Sequence, residues 1–309
     1  MEAHKTKNFD NTKKSPSIYD GPAFKAARLI FKFLCKWMPK SAAYLAAKIF
    51  SRPRRFRRPA REEHVLKSAQ PFTVQTKHGK IAAWQWGSGP TILCIHGWEG
   101  RGTQFHGFVK PLVDSGYRVV VYDGPAHGDS DGNQTNLIHF VEATKELLQV
   151  VGVIHGIIAH SFGGAVATLL LKSGVQATKA TFFAAPNDMI EITENFGTIL
   201  GLTPAVLHNM RDDFLHRYQG DWKPYAQAWE DLELAKMAKE ISLPLLLLHD
   251  EDDKAVKMNN SITLNNAWEN ANLVQTKGLG HQRILRDPDI ISQVLGFITK
   301  THETEPALN

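Results

Sequence analysis

Cysteine is scarce in this chain of 309 residues, which has only Cys35 and Cys94. Two cysteines cannot build a disulfide framework, and this excludes the class of small, disulfide-stapled secreted domains. Cys94 lies inside an apolar run, so we expect it to be an inert core residue. A reducing compartment fits this usage. We therefore expect a cytoplasmic protein, with a peripheral location at a membrane left open.

Long uncharged hydrophobic runs are also missing. The apolar stretch near the amino terminus, residues 29–38, is interrupted by Lys32 and Lys36. The sequence therefore predicts neither a transmembrane span nor a signal peptide. The chain also has no internal repeat and no long low-complexity segment, which excludes solenoid architectures. A chain of this length can bury one large hydrophobic core.

The net charge of +5 is unevenly distributed along the chain. Residues 1–67 hold 17 Lys and Arg against 5 Asp and Glu, whereas the remaining residues hold 19 against 26. The basic character therefore belongs to the amino-terminal segment, and Ser51 to Arg61 alone contains six arginines. No aromatic platform or recognition module accompanies these arginines, so we expect no nucleic-acid partner.

Residues 25–40 predict a helix with a basic stripe, because cations recur there at spacings of three or four. The cations are Lys25, Arg28, Lys32, Lys36 and Lys40, and the other sides carry Leu29, Ile30, Phe33, Leu34, Trp37 and Met38. This pattern is typical of a helix lying on an anionic membrane surface. It is also found in a helix that packs its apolar side on a folded core. We favour packing, because Phe31, Phe33 and Trp37 spread around more of the helix than a surface-lying helix needs.

The most informative segment runs from Gly156 to Leu171. A short apolar strand leads into a sharp turn at Ser161, and an Ala- and Leu-rich helix follows. Small residues stand two positions before and two positions after the serine, in the order Ala-His-Ser-Phe-Gly. This matches the nucleophile-elbow pattern G-x-S-x-G with alanine in the first position. A serine at such a turn exposes its hydroxyl. We therefore predict that Ser161 is a catalytic nucleophile rather than an ordinary turn residue.

A serine nucleophile needs a base, and the base needs an orienting carboxylate. Both residue types follow predicted strands further along the chain. The acidic cluster His249–Val256 comes after the apolar run Leu243–Leu248, and His281 comes after the strand-like Asn272–Thr276. Carboxyl ends of parallel strands meet at one edge of a sheet. The spacing therefore predicts that the serine, a carboxylate and His281 meet at that edge.

Acyl transfer also needs backbone N–H groups that bind the developing oxyanion. We expect one from Phe162, which follows the nucleophile, and the other from Trp98, which follows the buried strand Pro90–Ile95. We interpret His96 as a loop brace rather than a catalytic group. Asp123 and His127 lie in a Gly- and Pro-rich stretch, and there we favour a turn-shaping role over a metal site.

Strand and helix patterns alternate from about residue 71 onward, which predicts a mostly parallel sheet with helices on both faces. The connection 186–240 is long for a plain loop, and it shows helical periodicity over Thr203–Tyr218 and Pro224–Ile241. Its apolar residues either line the substrate side or pack on the core, and most are expected to be core. They are Met189, Ile192, Phe196, Leu200, Leu207 and Phe214.

Five blocks of the chain resemble the α/β-hydrolase family in order and approximate spacing. They are LCIHGWEGRGTQF, VVVYDGPAHGDSDG, IIAHSFGGAVA, LLLLHDEDDKAV and GLGHQRIL. The resemblance covers about residues 71–300 and is closest to the bacterial, esterase-like branch. It implies an α/β-hydrolase catalytic domain over 71–300 with a helical lid at 186–240. Outside it, the charge and periodicity of the sequence predict a basic, partly helical extension over 1–70, and residues 301–309 form a tail.

The resemblance also implies roles for single residues. Ser161 matches the family's nucleophile and His281 its general base. Asp253 matches the family's acid in its offset and in the valine at Val256, with Asp252 as a close competitor and Asp250 in a position where the family has glycine. The implied activity is cleavage of a small-molecule carboxylic ester with a short to medium acyl group, through an acyl-enzyme and without metal or organic cofactor.

The same apparatus serves thioesterases, lipases and C–C hydrolases, so these activities remain alternatives. A protein with this fold that binds a ligand without turnover is the alternative outside enzymes. Peripheral contact of the basic helix with an anionic membrane also stays open.

Overall fold

The computed structural model describes residues 21–223 and 229–300. Its centre is a sheet of eight strands in the order β1-β2-β4-β3-β5-β6-β7-β8. The pairs β1–β2 and β2–β4 are antiparallel, and all other neighbouring strands are parallel. The strands are β1 Gln70–Thr76, β2 Gly79–Trp86, β3 Thr91–Ile95, β4 Arg118–Tyr122, β5 Gly156–His160, β6 Lys179–Phe183, β7 Leu245–Asp250 and β8 Ala271–Thr276.

Twelve α-helices lie in the described residues. They are α1 Pro22–Trp37, α2 Pro39–Phe50, α3 Ala60–Leu66, α4 His106–Asp114, α5 Leu137–Val151, α6 Phe162–Lys172, α7 Met189–Leu200, α8 Pro204–Trp222, α9 Leu234–Ala238, α10 Met258–Ala267, α11 Gly280–Arg283 and α12 Pro288–Thr299. Short 3₁₀ helices occupy Gly102–Phe105, Trp229–Leu232 and Ile284–Arg286. None of these described helices combines the length and the apolarity that a membrane crossing requires.

The central strands are apolar on both faces because helices cover both faces. All five residues of β3 and all five of β5 are buried. One core contains side chains of α5 and α6, and the other contains side chains of α4 and α12. The predicted mostly parallel sheet with helices on both faces is thereby confirmed, as are helices in the amino-terminal segment.

The amino-terminal helices α1 and α2 pack on α7 and α8, which belong to the connection between β6 and β7. A separate buried cluster joins them, and it consists of Phe31, Ala42, Ala43, Ala46, Ala47, Leu200, Val206 and Met210. Small alanines on α2 let that helix approach α8 closely. Packing was the favoured prediction, but the expected burial of Phe33 and Trp37 is wrong, since both are exposed.

A second prediction fails in the β6–β7 connection. The helical periodicity over Pro224–Ile241 does not give one helix in the described part, which holds a 3₁₀ turn followed by the short α9. Contacts with a distant part of the chain interrupt the helix. Asn187 accepts hydrogen bonds from the N–H groups of Leu234 and Ala235 at 2.8 Å each, and Asp188 forms a β-bridge with Glu233. These contacts replace helical bonds at that point.

The apolar residues of this connection mostly pack on the core. Met189, Leu200 and Phe214 are buried, and Ile192, Phe196 and Leu207 are partly buried against the core clusters. Phe214 lies with its ring 5.7 Å from that of Phe50 and 5.5 Å from that of Trp229. The connection therefore uses its aromatic residues to hold α2 and α8 together.

A buried ion pair ties α3 to the loop that follows β3. The guanidinium of Arg101 donates to both carboxylate oxygens of Glu62 at 2.5 and 2.9 Å, and the Thr103 hydroxyl donates to the same carboxylate at 2.7 Å. Both charged side chains are almost fully buried. Removing one member of such a pair leaves an uncompensated charge in the interior.

We therefore expect Glu62→Ala to lower the free energy of unfolding by about 3–5 kcal/mol, because Arg101 loses its buried partner. Denaturant unfolding of the variant and of Glu63→Ala checks this. Glu63 is the exposed neighbour on the same helix, and its loss is expected to change stability by less than about 0.5 kcal/mol. If both substitutions changed the free energy of unfolding by the same small amount, the Glu62–Arg101 pair would not contribute to stability as expected.

Candidate active site

Ser161 lies in the turn between β5 and α6, with φ 52° and ψ −123°. A non-glycine residue in this region is strained, and such strain persists where the surrounding structure enforces it. Gly163 explains part of the enforcement, because a Cβ there would lie 2.2 Å from the carbonyl oxygen of Ile95. The first turn of α6 thus lies directly against β3. Ala159 is accommodated inside β5, fully buried between Ile95 and Phe182.

His281 is the second residue of the short helix α11, which directly follows the loop after β8. Gly278 and Gly280 have φ values of 88° and 64°, so the loop uses left-handed backbone that favours glycine. The Nδ1 atom of His281 donates to Oδ2 of Asp253 at 2.6 Å. The imidazole also lies against His160, the residue before Ser161, with ring centroids 4.6 Å apart. The turn carrying Ser161 and the loop carrying His281 are therefore direct neighbours.

Asp253 follows β7 and is held in one orientation. Its Oδ1 atom accepts from the backbone N–H groups of Ala255 at 2.7 Å and Val256 at 3.0 Å, which leaves Oδ2 for His281. The carboxylate side chain is 1% exposed. Burial raises the pKa of Asp253, but the hydrogen bond and charge of His281 and the two N–H groups outweigh it. The resulting pKa is below the ordinary value, so the group is a carboxylate at neutral pH.

The other two acids of the cluster have different partners. Asp252 is exposed and accepts from the N–H of Gly278 at 3.1 Å. Asp250 is buried, and its two oxygens accept from Thr276 Oγ1 at 2.7 Å and from the N–H groups of Leu279 at 3.0 Å and Gly280 at 2.8 Å. Burial raises the pKa of Asp250, yet these hydrogen bonds bring it below the ordinary value. Asp250 therefore fastens the loop that carries His281.

Two histidines, which the sequence did not identify as functional, support the backbone next to His281 and Asp253. His160 donates through Nε2 to the carbonyl oxygen of His281 at 2.8 Å, and burial is the main reason that its pKa is lowered to about 3. His249 donates through Nε2 to the carbonyl oxygen of Val256 at 3.0 Å, and that nitrogen lies 3.5 Å from Asp253 Oδ2. Each neutral ring fixes a backbone carbonyl beside the candidate base or acid. No periodic pattern in the sequence signals such contacts.

The backbone N–H groups of Trp98 and Phe162 both remain without a hydrogen-bond acceptor inside residues 21–223 and 229–300. Phe162 is the first residue of α6, where the helix provides no acceptor for it. A Cβ at Gly97 would lie 3.0 Å from Cβ of Ser161, so glycine at this position lets the Trp98 loop approach the serine closely. The indole of Trp98 packs edge-on against Phe162, with centroids 5.4 Å apart.

His96 and His127 hold the backbone of the neighbouring loops. Nε2 of His96 accepts from the N–H of Gly124 at 2.9 Å, and Nε2 of His127 accepts from the N–H of Glu99 at 3.0 Å. Burial lowers both pKa values, that of His127 to about 4, so both rings are neutral. Asp123 likewise accepts from the N–H groups of Gly102 and Asp129 at 2.8 Å each. No group of three or more metal-binding side chains that could hold an ion was found among the described residues.

The arginine-rich segment reaches the same loops. Arg54 donates through two guanidinium nitrogens to Glu99 at 2.7 Å each, and Glu99 follows Trp98 with a φ of 58°. Arg58 donates to Asp123 at 2.6 Å. Arg55 donates to four backbone carbonyls between residues 126 and 132. These arginines hold the loops after β3 and β4 in place. The composition of the segment alone does not indicate this role.

A strained serine between a strand and a helix, at the sheet edge where a His–Asp pair and free N–H groups also lie, is the arrangement found in hydrolases that use serine. The chain belongs to the α/β hydrolase family, whose sequence model matches residues 92–294. This agrees with the expected family and with the observed fold.

Individual relatives share this chain's architecture at low identity. A non-heme haloperoxidase of Rhodococcus erythropolis is 25% identical over 273 residues, which is 74% of this chain and 99% of that protein. A bifunctional esterase/perhydrolase of Acinetobacter calcoaceticus is 25% identical over 232 residues, 59% of this chain and 82% of that protein. An esterase structure from Pyrococcus furiosus superimposes with a TM-score of 0.60 at 17% identity, covering 80% of this chain and 98% of that one.

Proposed function

We propose that this chain is a serine hydrolase that cleaves carboxylic esters through an acyl-enzyme. The observation that carries the proposal is the 2.6 Å hydrogen bond between His281 and Asp253, formed in a loop that lies against the turn of Ser161. Esterases among the relatives and the similar structures support the same class of reaction.

Each residue has one role in the proposed reaction. Ser161 Oγ attacks the ester carbonyl while Nε2 of His281 accepts the hydroxyl proton. Asp253 keeps the proton on Nδ1 and stabilises the imidazolium that forms. The N–H groups of Trp98 and Phe162 donate to the oxyanion of the tetrahedral intermediate. His281 then protonates the departing alkoxide, which leaves as the alcohol.

Deacylation repeats these steps with water. His281 takes a proton from water, the resulting hydroxide attacks the acyl-enzyme, and Ser161 leaves with the proton returned by His281. The products are the carboxylic acid and free enzyme. The β6–β7 connection, with α7 and α8, serves as the lid in this proposal, as the family resemblance implies.

Reaction with a fluorophosphonate tests the class of protein. We expect stoichiometric covalent labelling at Ser161 and loss of esterase activity in step with labelling. A hydrolase-fold protein that only binds a ligand has no activated serine, so absence of labelling in the folded protein would count against the enzyme.

We expect short and medium acyl esters to be cleaved faster than long-chain triglycerides. The packed rings of Trp98 and Phe162 place aromatic bulk at the candidate oxyanion site, which leaves less room for a long chain. Nitrophenyl esters and acyl thioesters of increasing length, compared by kcat/KM, measure the preference. Faster turnover of long-chain emulsions, with activation at the oil interface, would favour a lipase. Faster turnover of thioesters would favour a thioesterase.

The relatives named haloperoxidase and esterase/perhydrolase favour one second candidate activity. An acyl-enzyme attacked by hydrogen peroxide instead of water releases a peracid and regenerates the serine. Peracid formation from an ester in the presence of hydrogen peroxide, measured beside hydrolysis on the same sample, separates the two activities. Because both begin with the same acyl-enzyme, Ser161→Ala is expected to abolish both.

A further inference from the structure

Helix α1 turns a second apolar side away from the other residues that the structure describes. Leu29, Ile30, Phe33 and Trp37 are between 56% and 70% exposed. At about 100° per residue these four side chains fall within an arc of about 100° on one side of the helix. A contiguous exposed apolar surface of this kind marks an interaction site more often than a scatter of single residues does.

This surface is additional to the side that α1 uses for packing. Phe31 is buried among residues of α2, α7 and α8, with Ala27 and Leu34 partly buried beside it. Arg28 donates through Nε to the carbonyl oxygen of Ile199 at 2.8 Å. The orientation of α1 is therefore fixed by contacts on one side. Because α1 is apolar on two sides and packs only one of them against other described residues, its second apolar side faces outward.

Positive charge borders the outward apolar surface. Lys25, Lys32 and Lys36 lie next to it around the helix and are exposed, and the Lys36 ammonium lies 4.9 Å from the centre of the Trp37 ring. Residues 21–61 contain twelve Lys and Arg and no Asp or Glu. A partner for this surface must therefore offer negative charge at its face and apolar material beneath it. A second copy of α1 would bring like charges together.

We propose that α1 docks this protein onto an anionic lipid bilayer. The helix lies in the plane of the interface, with Leu29, Phe33 and Trp37 inserted between the acyl chains. The three lysines lie over the anionic headgroups, where each adds attraction that salt screens. Tryptophan suits this depth because its ring has an apolar body and a polar N–H.

Co-sedimentation of the full chain with vesicles tests the proposal. We expect binding to vesicles that contain phosphatidylglycerol, little binding to phosphatidylcholine alone, and weaker binding as salt rises. The triple variant Leu29→Gln, Phe33→Gln, Trp37→Gln is expected to lose binding. The triple variant Lys25→Gln, Lys32→Gln, Lys36→Gln is expected to bind on the order of a hundredfold more weakly.

Two matched controls carry the same number of changes elsewhere. Val150, Val153 and Ile262 are exposed apolar residues, and Lys110, Lys254 and Lys277 are exposed lysines of the catalytic portion. Replacing each set by Gln is expected to leave the affinity for vesicles within about twofold of the parent, because a substitution weakens binding only where the side chain contacts the bilayer. Melting curves of all variants show that each is folded.

Several results would overturn the proposal. One is absence of binding by the intact chain, and another is binding that survives the α1 substitutions. Equal, salt-independent binding to vesicles with phosphatidylglycerol and to vesicles of phosphatidylcholine alone would show that α1 does not recognise anionic lipid. A dimer of the intact chain in sedimentation equilibrium that the apolar triple variant dissociates would instead assign this surface to a second copy.

Discussion

Replacement of Ser161 by alanine is expected to lower kcat for ester hydrolysis by several powers of ten, on the order of 10⁴–10⁶. The hydroxyl is the proposed nucleophile, and no other group at the turn can form the acyl-enzyme. The substitution removes only the side-chain oxygen. The surrounding residues enforce the backbone geometry at position 161, so the fold is expected to remain intact. Activity against a nitrophenyl ester and a melting curve on the same preparation measure both parts.

Ser173→Ala is the matched control, because Ser173 lies at the other end of α6 and its hydroxyl donates to the backbone carbonyl oxygen of Leu170. Its activity is expected to stay within about twofold of the parent, as for other surface substitutions. If Ser161→Ala kept activity within about tenfold while remaining folded, Ser161 would have no part in the mechanism. The fluorophosphonate reaction, which requires the same oxygen, would then have to label another residue.

The sheet was predictable because its strands carry their own signals. Thr91–Ile95 and Gly156–His160 are continuous apolar runs bounded by turn residues, which is typical of strands buried on both faces. The turn at Ser161 was predictable for a different reason. The positions two before and two after the serine must be small, as Ala159 and Gly163 are, so steric need leaves a trace in the sequence itself.

Other features depend on contacts between distant residues and leave no local trace. The helical periodicity after Pro224 is genuine, but the backbone of Leu234 bonds to Asn187 instead of continuing a helix. Phe33 and Trp37 make α1 apolar on two sides, and that pattern predicts burial of both sides. Among the described residues, only the side of Phe31 packs on other helices. Tertiary contact decides such cases, and a pattern within one segment cannot report it.

The arginines illustrate the same limit for charge. Six of them within Ser51–Arg61 suggest a solvated or anion-binding surface when counted alone. In the fold, Arg54 holds Glu99 beside Trp98, and Arg58 holds the buried Asp123. The carboxylates that receive these arginines lie 45 and 65 residues further along the chain. The segment 51–61 is therefore a brace of the candidate site, separate from the lysines of α1.

Asp253→Asn is expected to lower kcat by about 10⁴, because it changes the tautomer of His281. The Oδ1 atom of Asp253 accepts from the N–H groups of Ala255 and Val256, so the amide oxygen of asparagine takes that place. The amide NH₂ then faces Nδ1 of His281 and forces that nitrogen to accept. The proton moves to Nε2, which can no longer take the proton of Ser161.

Asp252→Asn is the matched control within the same turn. Asp252 is exposed, and an asparagine oxygen can still accept from the N–H of Gly278. Its kcat is expected to stay within about tenfold of the parent, since no reacting group is lost. If Asp252→Asn were the crippling change and Asp253→Asn a mild one, the assignment of the acid would be wrong.

Asp250→Asn completes the series with a different signature. Both oxygens of Asp250 accept hydrogen bonds, whereas an amide offers only one acceptor and places its NH₂ against a donor. We expect a lower Tm at pH 7 and an intermediate loss of activity, because the His281 loop loosens. The pKa of Asp250 is lowered in the fold, so its stabilisation is fully present above the ordinary pKa of about 4 and is lost as pH falls from there through the lower folded pKa. The Tm difference from the parent is therefore expected to close in acid, and a constant difference across that range would mean that the charge of Asp250 does not hold the loop.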